Sequence, residues 1–171
     1  MTKTTKQWFE EAVQNPTKKN FHTQVGVHLE EFGEMLDAMI VEADFNGQVS
    51  RTGWISLAQS VHIMADALKK GEAKIVAADW QELLDALCDQ KVTATGVGHM
   101  AGFNMDGATA EVDASNFSKF VDGKAIFDGN GKIAKGPNFF RPNLAPYLPA
   151  KVTIRSEEHT SELQSRSSNS Y

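Results

Sequence analysis

The chain is poor in several residue types, and each scarcity excludes something. A single cysteine, Cys88, rules out an internal disulfide framework and fits a reducing compartment. No apolar run reaches the eighteen or so residues that a membrane-spanning helix needs. The opening "MTKTTKQWFEEAV" has early lysines but no apolar signal core, so the expected location is cytoplasmic. Positive charge is the minority sign, with 17 Lys and Arg against 22 Asp and Glu and a net charge of -5. That balance argues against a general nucleic-acid footprint, and small anionic ligands would need a cation or a local basic cluster. What is present is ordinary for a soluble globular chain. The 171 residues are 41% hydrophobic and 23% charged, enough for one domain with a real core.

The hydrophobic periodicity predicts mostly α structure. Residues 5 to 14 read as a short helix with Trp8 and Phe9 on its apolar side, broken by "NPTKKN". A long helix follows over roughly 20 to 44, with Val25, Leu29, Phe32, Leu36 and Met39 at spacings of three and four. "DFNGQVSRTG" reads as a loop. A third helix spans about 54 to 70, with a basic last turn and Gly71 as its stop. Asp79 is the expected N-cap of a fourth helix, and a fifth covers about 105 to 120. "KAIFDGNGKIAK" reads as a β-hairpin, and "GPNFFRPNLAPYLP" as an extended strap over the helices. The expected architecture is all-α: a four- to five-helix bundle forming one domain over 1–154, with a hairpin extension at about 122–148. The tail 155–171 contains "RSEEHTSELQS", which looks like the translation of a sequencing adapter. It is set aside from functional argument, and His159 with it.

Two rows of carboxylates stand out. On a wheel of roughly 100° per residue, Glu31 and Glu34 lie about 60° apart, among Val27, Met35, Ala38 and Val41 and not among lysines. Gly26, Gly33 and Asp37 fill the evident polar sector, with Glu30 at its border. The fourth helix repeats the pattern. Glu82, Asp85 and Asp89 share one side and continue into Val92, Thr93 and Gly96, while Trp80, Leu83, Leu84 and Leu87 form the apolar stripe. Like charges at these spacings repel on a free helix. An ordinary acidic surface would interleave them with Lys or Arg. A hard divalent cation would reverse the sign, and Mg²⁺ prefers carboxylate oxygens while keeping waters for a phosphate-bearing substrate.

In order along the chain, "EEFGE" at 30 to 34, "ELLDALCDQKVTATG" and "SNFSKF" resemble the motifs of the all-α nucleoside triphosphate pyrophosphohydrolases of MazG type. The resemblance covers residues 21 to 120, and "KAIFDGNGKIAKGPNFF" is similar to the extension of phage and bacterial members. There is one departure: Ala86 stands where the family places a glutamate three residues before Asp89. Either Asp85 takes that part, or Glu82 and Asp85 form the literal ExxD with Asp89 as an extra ligand. The resemblance implies hydrolysis of an NTP or dNTP to the monophosphate and pyrophosphate. It implies Glu31, Glu34, Asp85 and Asp89 as ligands to Mg²⁺, with Mn²⁺ as a substitute, and Glu30 or Glu34 to orient or deprotonate water. It further implies Asn116, Lys119 and Glu82 at the substrate, and a homodimer or homotetramer with sites near subunit interfaces. No nucleic-acid or membrane partner is expected. The rival reading is a catalytically idle, metal-stabilised helical module that binds nucleotides or a partner protein.

Other features point to packing. His28 and Glu31 stand in the reverse of the Glu-x-x-His order of di-iron sites. "DGNGKIAKGPNF" ends in Phe139 where an EF-hand needs a glutamate. Phe21, Trp54 and Phe103 read as core or interface, Lys132 and Lys135 as solubilising surface, and Cys88 as a small packed residue.

Overall fold

The computed structural model describes residues 3–150; the 155–171 tail lies outside them. The described chain is mostly helical, as the periodicity predicts. It contains α1 (Thr5–Ala12), α2 (Lys18–Asp37), β1 (Ala43–Phe45), β2 (Gln48–Ser50), α3 (Thr52–Lys70), α4 (Trp80–Met100) and α5 (Met105–Phe117), with a short 3₁₀ turn at Ala145–Tyr147. These elements fall into two units. One holds α2, β1, β2, α3 and the segment 126–134; the other holds α1, α4, α5 and the strap from Lys135 onward.

In the first unit, the local chemistry sets the helix ends. Thr17 caps α2 through a reciprocal box, its side chain accepting from Asn20 N and its own backbone N–H donating to the Asn20 side chain. The helix stops at Asp37, seven residues short of the expected 44. The segment expected to be a loop is instead an antiparallel β1–β2 pair. Its turn is Asn46–Gly47, both at positive φ (56° and 84°), the geometry that an Asn-Gly dipeptide favours in two-residue hairpins. Asp44 Oδ1 accepts from Gly47 N at 2.7 Å. The third helix ends as read, on Gly71 in the left-handed region.

Helices α2 and α3 pack antiparallel, and the face by which α2 does so corrects the wheel reading. Gly26 and Gly33, assigned above to the polar sector, are buried. An added Cβ on Gly26 would stand 2.8 Å from the Ala65 carbonyl oxygen, and one on Gly33 would stand 2.6 Å from His62 Cε1. The two glycines are two turns apart and let the helices close, with Ala58 and Ala65 the small residues buried on α3. Leu36, only 2% exposed, anchors the seam. Trp54 donates its indole N–H to the carbonyls of Leu36 (2.9 Å) and Met39 (3.1 Å), tying the start of α3 to the end of α2. Phe32 and Met39, expected on the core stripe, are exposed. The packed face is marked by small residues together with Leu36 and Leu68.

In the second unit, Trp8 of α1 is buried; its indole donates to Asn116 O of α5 at 2.9 Å, and its ring stacks on Phe120. Thr5 Oγ1 donates to the buried Asp113 at 2.6 Å. Asp79 caps α4 as expected, accepting from Gln81 N and Glu82 N. The buried Gly98 of α4 abuts Met105 of α5. The strap is tied to α5 by Ser115 Oγ donating to Phe140 O and by Asn143 N donating to Glu111. Most of α4 is uncovered. Trp80 is 66% and Leu84 63% exposed, and Cys88, expected to be packed, is exposed too.

The expected hairpin after α5 is reduced to isolated bridges. Val121 pairs with Lys124 around an Asp122–Gly123 turn, and in the first unit Phe127 pairs with Ile133 around Asp128–Gly131. Asp128 organises the second turn, its carboxylate accepting from Asn130 N and Lys132 N.

Candidate functional site

Position along α2 decides what each glutamate faces. Gly26 and Gly33 mark the side turned to α3. Glu31 lies about 140° around the helix from Gly26, on the side away from α3, and Glu34 lies about 80° around. Both are exposed, beside the exposed Met35 and Ala38. The expectation that these carboxylates interrupt an apolar face therefore describes an exposed surface of α2, on which Met35 stands with Glu31 and Glu34.

Glu30 has a different environment. Its side chain is 23% exposed and each oxygen takes one lysine: Lys69 of α3 donates to Oε1 at 2.6 Å and Lys132 of the 126–134 turn donates to Oε2 at 2.8 Å. Burial pushes the Glu30 carboxyl up, but the hydrogen bonds and positive charges of Lys132 and Lys69 outweigh it and hold the group below its ordinary value of 4.5. A carboxylate so held is a weaker base than a free one. Lys69 also pairs with Asp66 at 3.0 Å. Its burial favours the neutral amine, yet Glu30 and Asp66 together raise it above 10.5. Nothing in the sequence signals that Lys132 reaches across 102 positions to Glu30; the sequence reading put it on a solubilising surface.

A second pair also escaped the sequence reading. His62 Nε2 stands 2.8 Å from Asp37 Oδ2, with the imidazole lying in the slot that Gly33 leaves open. Asp37 was assigned to a solvated polar sector, and the missing Cβ of Gly33 is the only hint of a ring packed against it.

In the other unit, Glu82, Asp85 and Asp89 are all exposed on α4, on the side that continues into the exposed Val92. Asn116 and Lys119 are brought together: Lys119 Nζ donates to Asn116 Oδ1 at 2.8 Å and lies 5.6 Å from the centroid of the Trp8 ring. The ring face favours a cation there and orients the ammonium. Phe21 and Phe103 are half-buried, and Trp54 is committed to the end of α2.

The donor chemistry suits a hard divalent ion. Glu31 with Glu34, and Asp85 with Asp89, are carboxylate pairs at helical spacings of three and four, offering oxygen ligands and leaving room for water, as Mg²⁺ requires. Each unit carries one such pair. Among the described residues, no group of three or more His, Cys, Asp or Glu side chains stands close enough to hold an ion. No described helix is long and apolar enough to cross a membrane. Comparison with protein-family models, with curated proteins and with solved structures finds no match for this chain.

Proposed function

We propose that this chain is a MazG-like, Mg²⁺-dependent nucleoside triphosphate pyrophosphohydrolase that releases pyrophosphate and the monophosphate. The observation that carries the reading is the company of the carboxylates. On α2 and on α4 alike they share exposed helix surface with a large apolar side chain, Met35 on one and Val92 on the other. A surface meant only for solvent would intersperse lysines, and one meant only for packing would exclude carboxylates. The ordered motifs read from the sequence add the chemistry.

In this reading Glu31 and Glu34 on α2, and Asp85 and Asp89 on α4, are the residues that would hold Mg²⁺, or Mn²⁺ in its place. The bound ion would neutralise phosphate charge and lower the pKa of the attacking water. Glu34 would orient the attacking water and take up its proton; the two lysines on Glu30 leave Glu30 the poorer candidate. Lys119 meets a phosphate as a point charge, pre-aimed by Asn116 and the Trp8 ring. Asn116 then turns its amide to phosphate or sugar, and Glu82 lies near the substrate. Helices make a rigid frame for such placement, which is most of what phosphoryl chemistry demands. Self-association as a dimer or tetramer belongs to the same proposal, supported by the exposed Trp80, Leu84 and Leu87 of α4.

The test is a panel of the canonical NTPs and dNTPs with Mg²⁺, reading pyrophosphate, for wild type, Glu34→Gln and Asp89→Asn. Release that both substitutions abolish supports the enzyme. No release from any substrate, alongside thermal stabilisation by Mg²⁺, replaces it with the idle metal-stabilised module.

A further inference from the structure

We propose that residues 126–134 form a detachable flap, held on the α2–α3 pair by an ionic catch at Glu30, and that it opens as a unit while α2 and α3 stay folded. The inference stands independently of the nucleotide chemistry.

Three observations carry it. The first is what holds the flap down. Among the described residues, its one charged tie is Lys132 Nζ to Glu30 Oε2 at 2.8 Å. Thr23 Oγ1 to Asn130 O, at 3.3 Å, is a long hydrogen bond, and a Cβ added at Gly131 would meet the flexible end of Lys19 at 3.7 Å. Of its three large apolar residues, Ile126 and Phe127 are each 44% exposed and Ile133 is half-buried. An element seated by polar contacts and little apolar burial belongs to the low-stability end of a fold.

The second is that the flap cannot hold its own shape strongly. Its ladder is one isolated bridge, Phe127 to Ile133, closed by Asp128 N to Lys132 O and Ala134 N to Ile126 O. A lone two-stranded hairpin is marginal in water, so its order depends on the seat.

The third is that α2–α3 does not need it. The helix pair is closed by Gly26 against Ala65, Gly33 against His62, the buried Leu36 and the Trp54 indole on two carbonyls, none of which involves 126–134. Glu30 keeps a partner when the flap leaves, because Lys69 remains on its other oxygen. Opening therefore strands no buried charge, which is what allows the catch to work reversibly. Lys132, 44% exposed, is the arm that salt can screen.

Amide hydrogen exchange on the full chain, read by mass spectrometry over 126–134, tests this. Lys132→Gln, or about 1 M NaCl for the wild type, is expected to speed exchange of the flap amides about threefold to tenfold. Lys132→Arg, which keeps the charge, is expected to exchange like wild type, and α2 and α3 amides are expected to hold their protection in every case. Four results overturn the proposal. They are flap amides with no measurable protection in low-salt wild type, unchanged protection in Lys132→Gln, loss of protection in Lys132→Arg equal to that in Lys132→Gln, and loss of flap and α2–α3 protection together.

Discussion

Gly26→Ala asks whether α3 rests on the glycine face of α2. Two terms oppose each other. Replacing a helical glycine by alanine restricts the unfolded chain and stabilises by about 0.4–1 kcal/mol. At Gly26 the added methyl would stand 2.8 Å from the Ala65 carbonyl oxygen, 2.9 Å from Lys69 Cγ and 3.1 Å from Leu68 Cβ. The lysine carbon can swing away, but the carbonyl belongs to the backbone of α3, so the helices must separate. Overpacking of this kind costs about 1–3 kcal/mol. The expected net effect lies between about zero and 2.5 kcal/mol of destabilisation. Gly53, on α3 of the same unit, is the control, because nothing lies within 4 Å of its added Cβ. Gly53→Ala keeps the favourable term without the clash, so the difference between the variants isolates the clash at about 1–3 kcal/mol. Urea unfolding followed by far-UV circular dichroism measures both. If Gly26→Ala gains as much stability as Gly53→Ala, α3 does not lie against Gly26, and the assignment of Glu31 to the outward side of α2 falls with it.

Three further outcomes follow from the same geometry. Trp54→Phe removes the indole donor from the Leu36 and Met39 carbonyls and is expected to cost about 1–2 kcal/mol in the same urea assay; no loss would mean water replaces the indole freely. Asp79→Ala removes the cap that serves two backbone amides of α4 and is expected to cost about 1 kcal/mol, with Asp79→Ser recovering most of it. Lys69 has a raised folded pKa, so its contribution is complete below 10.5 and is lost as pH climbs through the higher folded value. Lys69→Met is therefore expected to flatten the alkaline decline in melting temperature above that pH, and an unchanged decline would refute the pairing with Glu30 and Asp66.

The sequence announced helices better than it announced faces. Periodicity placed five helices, and chemistry at their ends was legible because it is local: Asp79 before α4, Gly71 after α3. The stretch expected to be a loop holds an equally local signal, Asn46–Gly47, the strongest short hairpin dipeptide in the chain. The orientation of α2 is legible only in part: Leu36 of the expected stripe is buried, whereas Phe32 and Met39 are exposed. Close helix contact selects small residues as well, and Gly26 and Gly33 carry no hydrophobic signal at all. Cys88 was misplaced for the related reason that α4 exposes residues a core helix would bury. The carboxylates of the candidate site were visible as a pattern. The state of Glu30 was not, because it depends on Lys69 and Lys132, which lie 39 and 102 positions away.

The central claim is chemical, and ³¹P NMR of the reaction tests it most directly. With Mg²⁺ and the best substrate of the panel, the wild-type protein is predicted to convert the triphosphate to monophosphate and pyrophosphate, with no diphosphate or inorganic phosphate accumulating first, and Glu34→Gln is predicted to leave the spectrum unchanged over the same time. Formation of a diphosphate and inorganic phosphate, or turnover by Glu34→Gln at the wild-type rate, would contradict the account.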